Sequence, residues 1–194
     1  MNLHTMNMKN LILLTGIFAI TLTALIGCGK KDAGSDIASL EAKFKELTTG
    51  ENLKDKTGEI RDVMGKLAVA YERAGQSKDP EIAVKNLYLA AEMYETNQLD
   101  VSKSLGLYQK IFNEYPDHDR AADALFKMGY IYNNMLNDLP NAEKMYRLFL
   151  EKYPEDQLAP SAQFEIDNLG VSPEEILKRI RPDSLNVDET DLEG

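Results

Sequence analysis

Two stretches thirty-eight residues apart decide the fold: Leu87-Tyr88-Leu89-Ala90-Ala91-Glu92-Met93-Tyr94 and Leu125-Phe126-Lys127-Met128-Gly129-Tyr130-Ile131-Tyr132. Each places a small residue (Ala91, Gly129) three positions before an aromatic one (Tyr94, Tyr132), with apolar residues at helical rather than alternating spacing. The match continues without a slip. Asp100 aligns with Asp138, Ser104 with Ala142, Tyr108 with Tyr146, Ile111 with Phe149, and Tyr115-Pro116 with Tyr153-Pro154. Each unit therefore reads as helix A, a turn, and helix B. Proline stops each B helix, because it lacks an N–H and disfavours helical geometry in the residue before it. The small residue lets the A helix approach its own B helix, and the tyrosines fill the space beside that contact. A fixed period of this length signals stacked supersecondary units, since no single hairpin can bury both its faces.

Working outward, Phe164 falls thirty-eight residues after Phe126, but Asp167 and Gly170 occupy the small and aromatic positions, as in a degenerate terminal copy. Ser172-Pro173-Glu174-Glu175 has the N-cap, N1 and N3 residues of a helix start, and Ile176, Leu177 and Ile180 are expected to cover the end of the stack. Upstream, Ile37, Leu40, Phe44 and Leu47 share one helical face, and Ile60, Val63, Met64, Leu67, Ala68 and Tyr71 form a second stripe ahead of Gly75 and Asp79-Pro80. Sustained alternation of period two is absent between Ser35 and Pro182. Eight helices are expected, at about 36–48, 58–76, 81–97, 100–114, 119–136, 139–152, 157–169 and 172–181.

The order small, aromatic, small, aromatic, apolar, proline resembles the tetratricopeptide repeat. That resemblance implies an all-α, right-handed superhelical solenoid of antiparallel helix pairs, although the period is four residues longer than the usual 34 of the family. It also implies a concave groove lined by A-helix positions. With the small residue counted as position 8, these are Lys85, Tyr88, Glu92, Glu95 and Thr96 in one unit and Asp123, Phe126, Tyr130, Asn133 and Asn134 in the next, with Phe164 continuing the aromatic position. Tyr88, Phe126 and Phe164 either close the core between repeats or line the groove as anchors for a peptide.

The N-terminus carries an address. Lys9 is the one charged side chain in residues 1–27, and an apolar run from Leu11 to Ile26 follows it, the order of a secretory signal peptide. The run is short for a membrane span, which needs about 17–25 residues. It closes on Leu25-Ile26-Gly27-Cys28, which resembles a bacterial lipobox. The resemblance implies cleavage before Cys28 and acylation of its thiol and new amino terminus. Two or three chains anchor where one does not, each buried CH₂ contributing about 0.8 kcal/mol. Gly29 rather than Asp after the cysteine implies the outer membrane. The expected organisation is a cleaved signal peptide (1–27), a lipid-anchored tether (28–35), a degenerate helical repeat (36–80), repeats with a capping helix (81–181) and a disordered acidic tail (182–194).

Composition narrows the chemistry. The 194 residues carry 22 Lys plus Arg against 32 Asp plus Glu, two His and one Cys, for a formal charge of −10. One cysteine allows no internal disulfide and no Cys-x-x-Cys pair. The histidines, His4 and His118, are too few for a histidine-built metal site, and the acidic balance disfavours nucleic acid. No serine or cysteine nucleophile has a histidine near it in sequence, and no glycine-rich phosphate loop follows a strand. The expectation is a non-catalytic protein without cofactor or metal, binding other envelope proteins or peptides. The combination of anchor and repeats resembles the tetratricopeptide lipoproteins of the outer-membrane β-barrel assembly machinery and the periplasmic repeat domains that coordinate division. A ligand- or glycan-binding accessory lipoprotein is the alternative.

Overall fold

The computed structural model describes residues 33–49, 53, 55–96 and 99–180. Its eight helices are α1 (Ala33–Thr49), α2 (Thr57–Ala74), α3 (Pro80–Thr96), α4 (Val101–Glu114), α5 (Arg120–Asn134), α6 (Leu139–Lys152), α7 (Ala159–Asp167) and α8 (Pro173–Ile180). No strand occurs among the described residues. The signal peptide, Cys28 and the acidic tail lie outside them. Helix α1 begins at Ala33, so the stretch read as tether up to residue 35 already contributes its first turn.

Local chemistry sets the helix ends. Asp100 and Asp138 cap the B helices α4 and α6, their carboxylates accepting from the backbone N–H of Lys103 (3.0 Å) and Asn141 (3.2 Å). Before α3, Asp79 accepts from the N–H of Glu81 at 3.0 Å. At the far ends, Tyr115 and Tyr153 leave the helix at φ −131° and −130°, each donating its N–H to the carbonyl four residues back. The proline after each tyrosine keeps it out of the helical region. Asn137 takes a φ of 51° in the α5–α6 turn, a left-handed conformation that asparagine tolerates better than most residues.

Each helix from α1 to α6 packs on its successor, and among the described residues α3 with α5 is the one pair of non-consecutive helices in more than marginal contact. The architecture is thus an all-α tetratricopeptide-type solenoid in which the A helices meet along one wall. Between the layers Tyr71, Leu67, Met64, Leu87, Tyr108, Ile111, Leu125, Ile131, Tyr146 and Phe149 are fully enclosed. Burying a side chain of this size stabilises by about 1.5–3 kcal/mol before ordering costs. The close A–B approach is real at Gly129, where a Cβ would stand 2.7 Å from the Tyr146 ring.

The terminal copy departs from the template. Helix α7 spans nine residues, and Phe164 on it is 46% exposed. Helix α8 starts as its sequence suggests, with Ser172 Oγ accepting from the Glu175 N–H at 3.2 Å. It makes at most a marginal contact with the other helices, and Leu177 is 60% exposed. With Gly170 at a φ of 74° beside Leu139, the chain turns away after α7 instead of folding back as a B helix would.

Candidate functional site

The wall formed by α3, α5 and α7 follows one rule: a residue on one A helix meets the residue thirty-two positions later on the next. Lys127 reaches Glu95 at 3.0 Å, and Asn133 donates from Nδ2 to Glu165 at 3.1 Å. The Arg120 guanidinium lies over the Tyr88 ring, 4.5 Å from its centroid. The stagger arises because a B helix and two turns intervene, so the next A helix enters six residues short of a full repeat.

At the α3/α5 junction the wall is polar and internally ion-paired. Glu95 is 7% exposed, and its carboxylate accepts both the Tyr108 hydroxyl (2.8 Å) and Lys127. Lys127 also stands 5.7 Å from the Tyr130 ring. Arg120 pairs with Asp123 at 3.2 Å while it stacks on Tyr88. Glu92 sits among these groups, its pKa raised first by burial and then by Glu95 and Asp123, with Lys127 and Arg120 pulling the other way. Burial likewise pushes the Tyr108 hydroxyl well above the usual phenol range, and the carboxylate of Glu95 adds to the shift.

The sequence-derived residues divide by depth. Tyr88 is 6% exposed and meets Tyr108 edge to face at 5.4 Å. Phe126 is half-buried and makes the matching contacts with Tyr146 (5.4 Å) and Phe149 (5.7 Å). The aromatic position thus bridges an A helix to its own B helix and opens progressively toward α7. Tyr130 is 39% exposed. Lys85, Thr96 and Asn134 are exposed; Glu92, Asp123 and Asn133 are partly so. Thr96 and Asn134 turn back to the carbonyls of Glu92 and Tyr130. Sequence reasoning missed Arg120 and Lys127, the cations that cover this wall. Their only signal is the thirty-two-residue offset from Tyr88 and Glu95, which has no meaning until the A helices are known to touch.

Elsewhere, His118 is mostly buried in the α4–α5 joint, not solvated as a loop histidine would be. Its Nδ1 accepts from the Arg120 N–H at 3.1 Å, and its Nε2 faces Glu81 Oε2 at 3.3 Å without hydrogen-bond alignment. A surface depression of about 600 Å³ lies between α1 and α2, lined by Leu40, Val69, Ala70, Arg61 and Arg73 among others. Among the described residues no group of three His, Cys, Asp or Glu is placed to hold a metal ion, and no helix is long and apolar enough to cross a membrane.

A family model described as tetratricopeptide repeat matches residues 123–156, which span most of α5, all of α6 and the exit turn. No curated protein and no solved structure matches the chain. The chain thus contains a tetratricopeptide repeat within an all-helical solenoid. Repeats of this kind generally mediate protein–protein interaction and are typically non-catalytic scaffolds.

Proposed function

We propose that this protein is a lipid-anchored scaffold of the bacterial cell envelope that holds a segment of a partner protein against the wall formed by α3, α5 and α7. The observation that carries the reading is the contact between successive A helices, α3 with α5 through Lys127 and Glu95 and α5 with α7 through the Asn133–Glu165 hydrogen bond. Helical spacing puts Lys85 and Glu92 on one face of α3 and Asp123, Tyr130, Asn133 and Asn134 on the matching face of α5, all of them exposed or partly so. A half-exposed aromatic among hydrogen-bonding side chains suits a peptide, whose apolar side chains supply affinity and whose backbone is oriented by polar contacts.

The lipobox-like Leu25-Ile26-Gly27-Cys28 supports an acyl anchor on Cys28, and Gly29 supports the outer membrane, with the solenoid facing the periplasm. Anchorage confines the groove to the membrane surface, so that even weak contacts operate at high effective concentration. Assembly of outer-membrane β-barrel proteins is the process we assign to it.

The test is recovery of envelope proteins from detergent-solubilised membranes with the tagged chain. Barrel-assembly proteins recovered with wild type and lost with Tyr130→Ala plus Asn134→Ala support the scaffold. A small ligand or glycan retained through purification, with no protein partner, replaces it by the accessory-protein reading. Cys28→Ser is expected to release the protein from the outer membrane; continued acyl labelling of that variant contradicts the anchor.

A further inference from the structure

The two A-helix junctions occupy the same template positions with different chemistry. Thirty-eight residues after Glu95, Lys127, Tyr108 and Arg120 stand Asn133, Glu165, Tyr146 and Leu158. At the first junction Lys127 and the Tyr108 hydroxyl converge on Glu95. At the second, both cations are replaced: the carboxylate has moved to the α7 side, and an amide faces it from α5. The Tyr146 hydroxyl, fully enclosed between α5 and α6, has no hydrogen-bond partner there. A buried hydroxyl left unpaired costs free energy that its counterpart Tyr108 does not bear.

We propose that the second junction receives a lysine side chain from the partner peptide, which supplies from outside what Lys127 supplies one repeat earlier. The inference rests on the groove reading above. Glu165 is partly exposed and its carboxylate accepts from Asn133 Nδ2 at 3.1 Å, a single neutral donor that a guest ammonium can replace. Asn133, released, turns its amide oxygen toward the Tyr146 hydroxyl and gives it an acceptor. The half-exposed Tyr130 ring, already beside Lys127, lies on the same wall to flank the alkyl stem of the guest. Charge complementarity selects this occupant: among the described residues the cations of the first junction have no counterpart at the second, where Leu158 and Glu165 stand at the template positions of Arg120 and Lys127, within a chain of formal charge −10.

The experiment is fluorescence anisotropy with the full chain at physiological salt. The probes are a fluorescein-labelled peptide of about a dozen residues containing leucine, serine and two lysines, and its counterpart with glutamine for each lysine. The lysine peptide is expected to bind more tightly, and Glu165→Gln to weaken it by about tenfold while leaving the glutamine peptide unchanged. Glu151→Gln, on the exposed face of α6, is expected to leave both unchanged. Tyr146→Phe is expected to weaken the lysine peptide by about threefold without lowering the melting temperature, which separates a binding role from a packing one. Equal affinity for the two peptides, or indifference of the lysine peptide to Glu165→Gln, overturns the lysine site and leaves the groove standing. Binding of neither peptide overturns the lysine site too, and the groove is then judged by cross-linking from its wall.

Discussion

Replacing Gly129 by alanine adds one methyl group where the structure has no room for it. The new Cβ would lie 2.7, 2.8 and 3.0 Å from three carbons of the Tyr146 ring. Carbon atoms in contact settle at about 3.5–4.0 Å, so a displacement of roughly 1 Å is required. Tyr146 is enclosed and held edge-on by Phe126, so the ring cannot swing clear; the A and B helices must part. Overpacking of this kind costs about 1–3 kcal/mol, against a gain of about 1 kcal/mol from the better helix propensity of alanine. Because three ring carbons are involved the upper part of the range applies, and the net loss should be about 1–2 kcal/mol. Gly106, mid-helix in α4, is the internal control, since a Cβ there meets nothing within 4 Å. Gly106→Ala should therefore stabilise by about 0.5–1 kcal/mol. Urea unfolding followed by circular dichroism measures both, and Gly129→Ala combined with Tyr146→Leu should recover part of the loss. If Gly129→Ala stabilises as much as Gly106→Ala, the close A–B approach is not what holds the repeat together.

Other outcomes follow from the same contacts. Tyr108→Phe removes a buried hydrogen bond to the Glu95 side chain and should cost about 1–3 kcal/mol, whereas Tyr146→Phe, which removes an unpaired hydroxyl, should be neutral or stabilising; thermal melts of the pair decide it. Asp138→Ala removes the cap of α6 and should cost about 1 kcal/mol, seen as a lower urea midpoint. Glu92 has a raised pKa, so the folded chain binds its proton more tightly than the unfolded chain does. Stability from this group therefore grows as the pH falls through its folded pKa and is lost above it. Glu92→Gln should raise the melting temperature at neutral pH, with the gain shrinking toward acid; a gain independent of pH would contradict the assignment.

The sequence carried the repeat because its determinants are local. Asp100 and Asp138 cap, Tyr115-Pro116 and Tyr153-Pro154 terminate, and Ala91 and Gly129 permit close approach, each through chemistry confined to a few neighbouring residues. The helix boundaries followed within a few positions for the same reason. Burial was less legible. Tyr94 and Tyr132 hold one template position, yet Tyr94 is buried, with its hydroxyl donating to Glu72 at 3.1 Å, while Tyr132 is only half-buried. That difference depends on what the preceding hairpin offers. The candidate groove residues lie on α3, α5 and α7, but the contacts that Arg120 and Lys127 make with Tyr88 and Glu95 were hidden, because an offset of thirty-two is a property of stacked helices and not of any one segment. Helix α8 shows the opposite limit. Ser172 marks its start correctly, but a pattern of Ile176 and Leu177 specifies an apolar face without specifying what that face meets.

The most direct test of the inner-wall account is site-specific photocross-linking in cells producing the full chain, with benzoylphenylalanine placed at Tyr130 on α5 or at Glu151 on the outer face of α6. Cross-links to envelope proteins from position 130 and none from position 151 are the expected result. Cross-links from 151 alone, or equally from both, would contradict it.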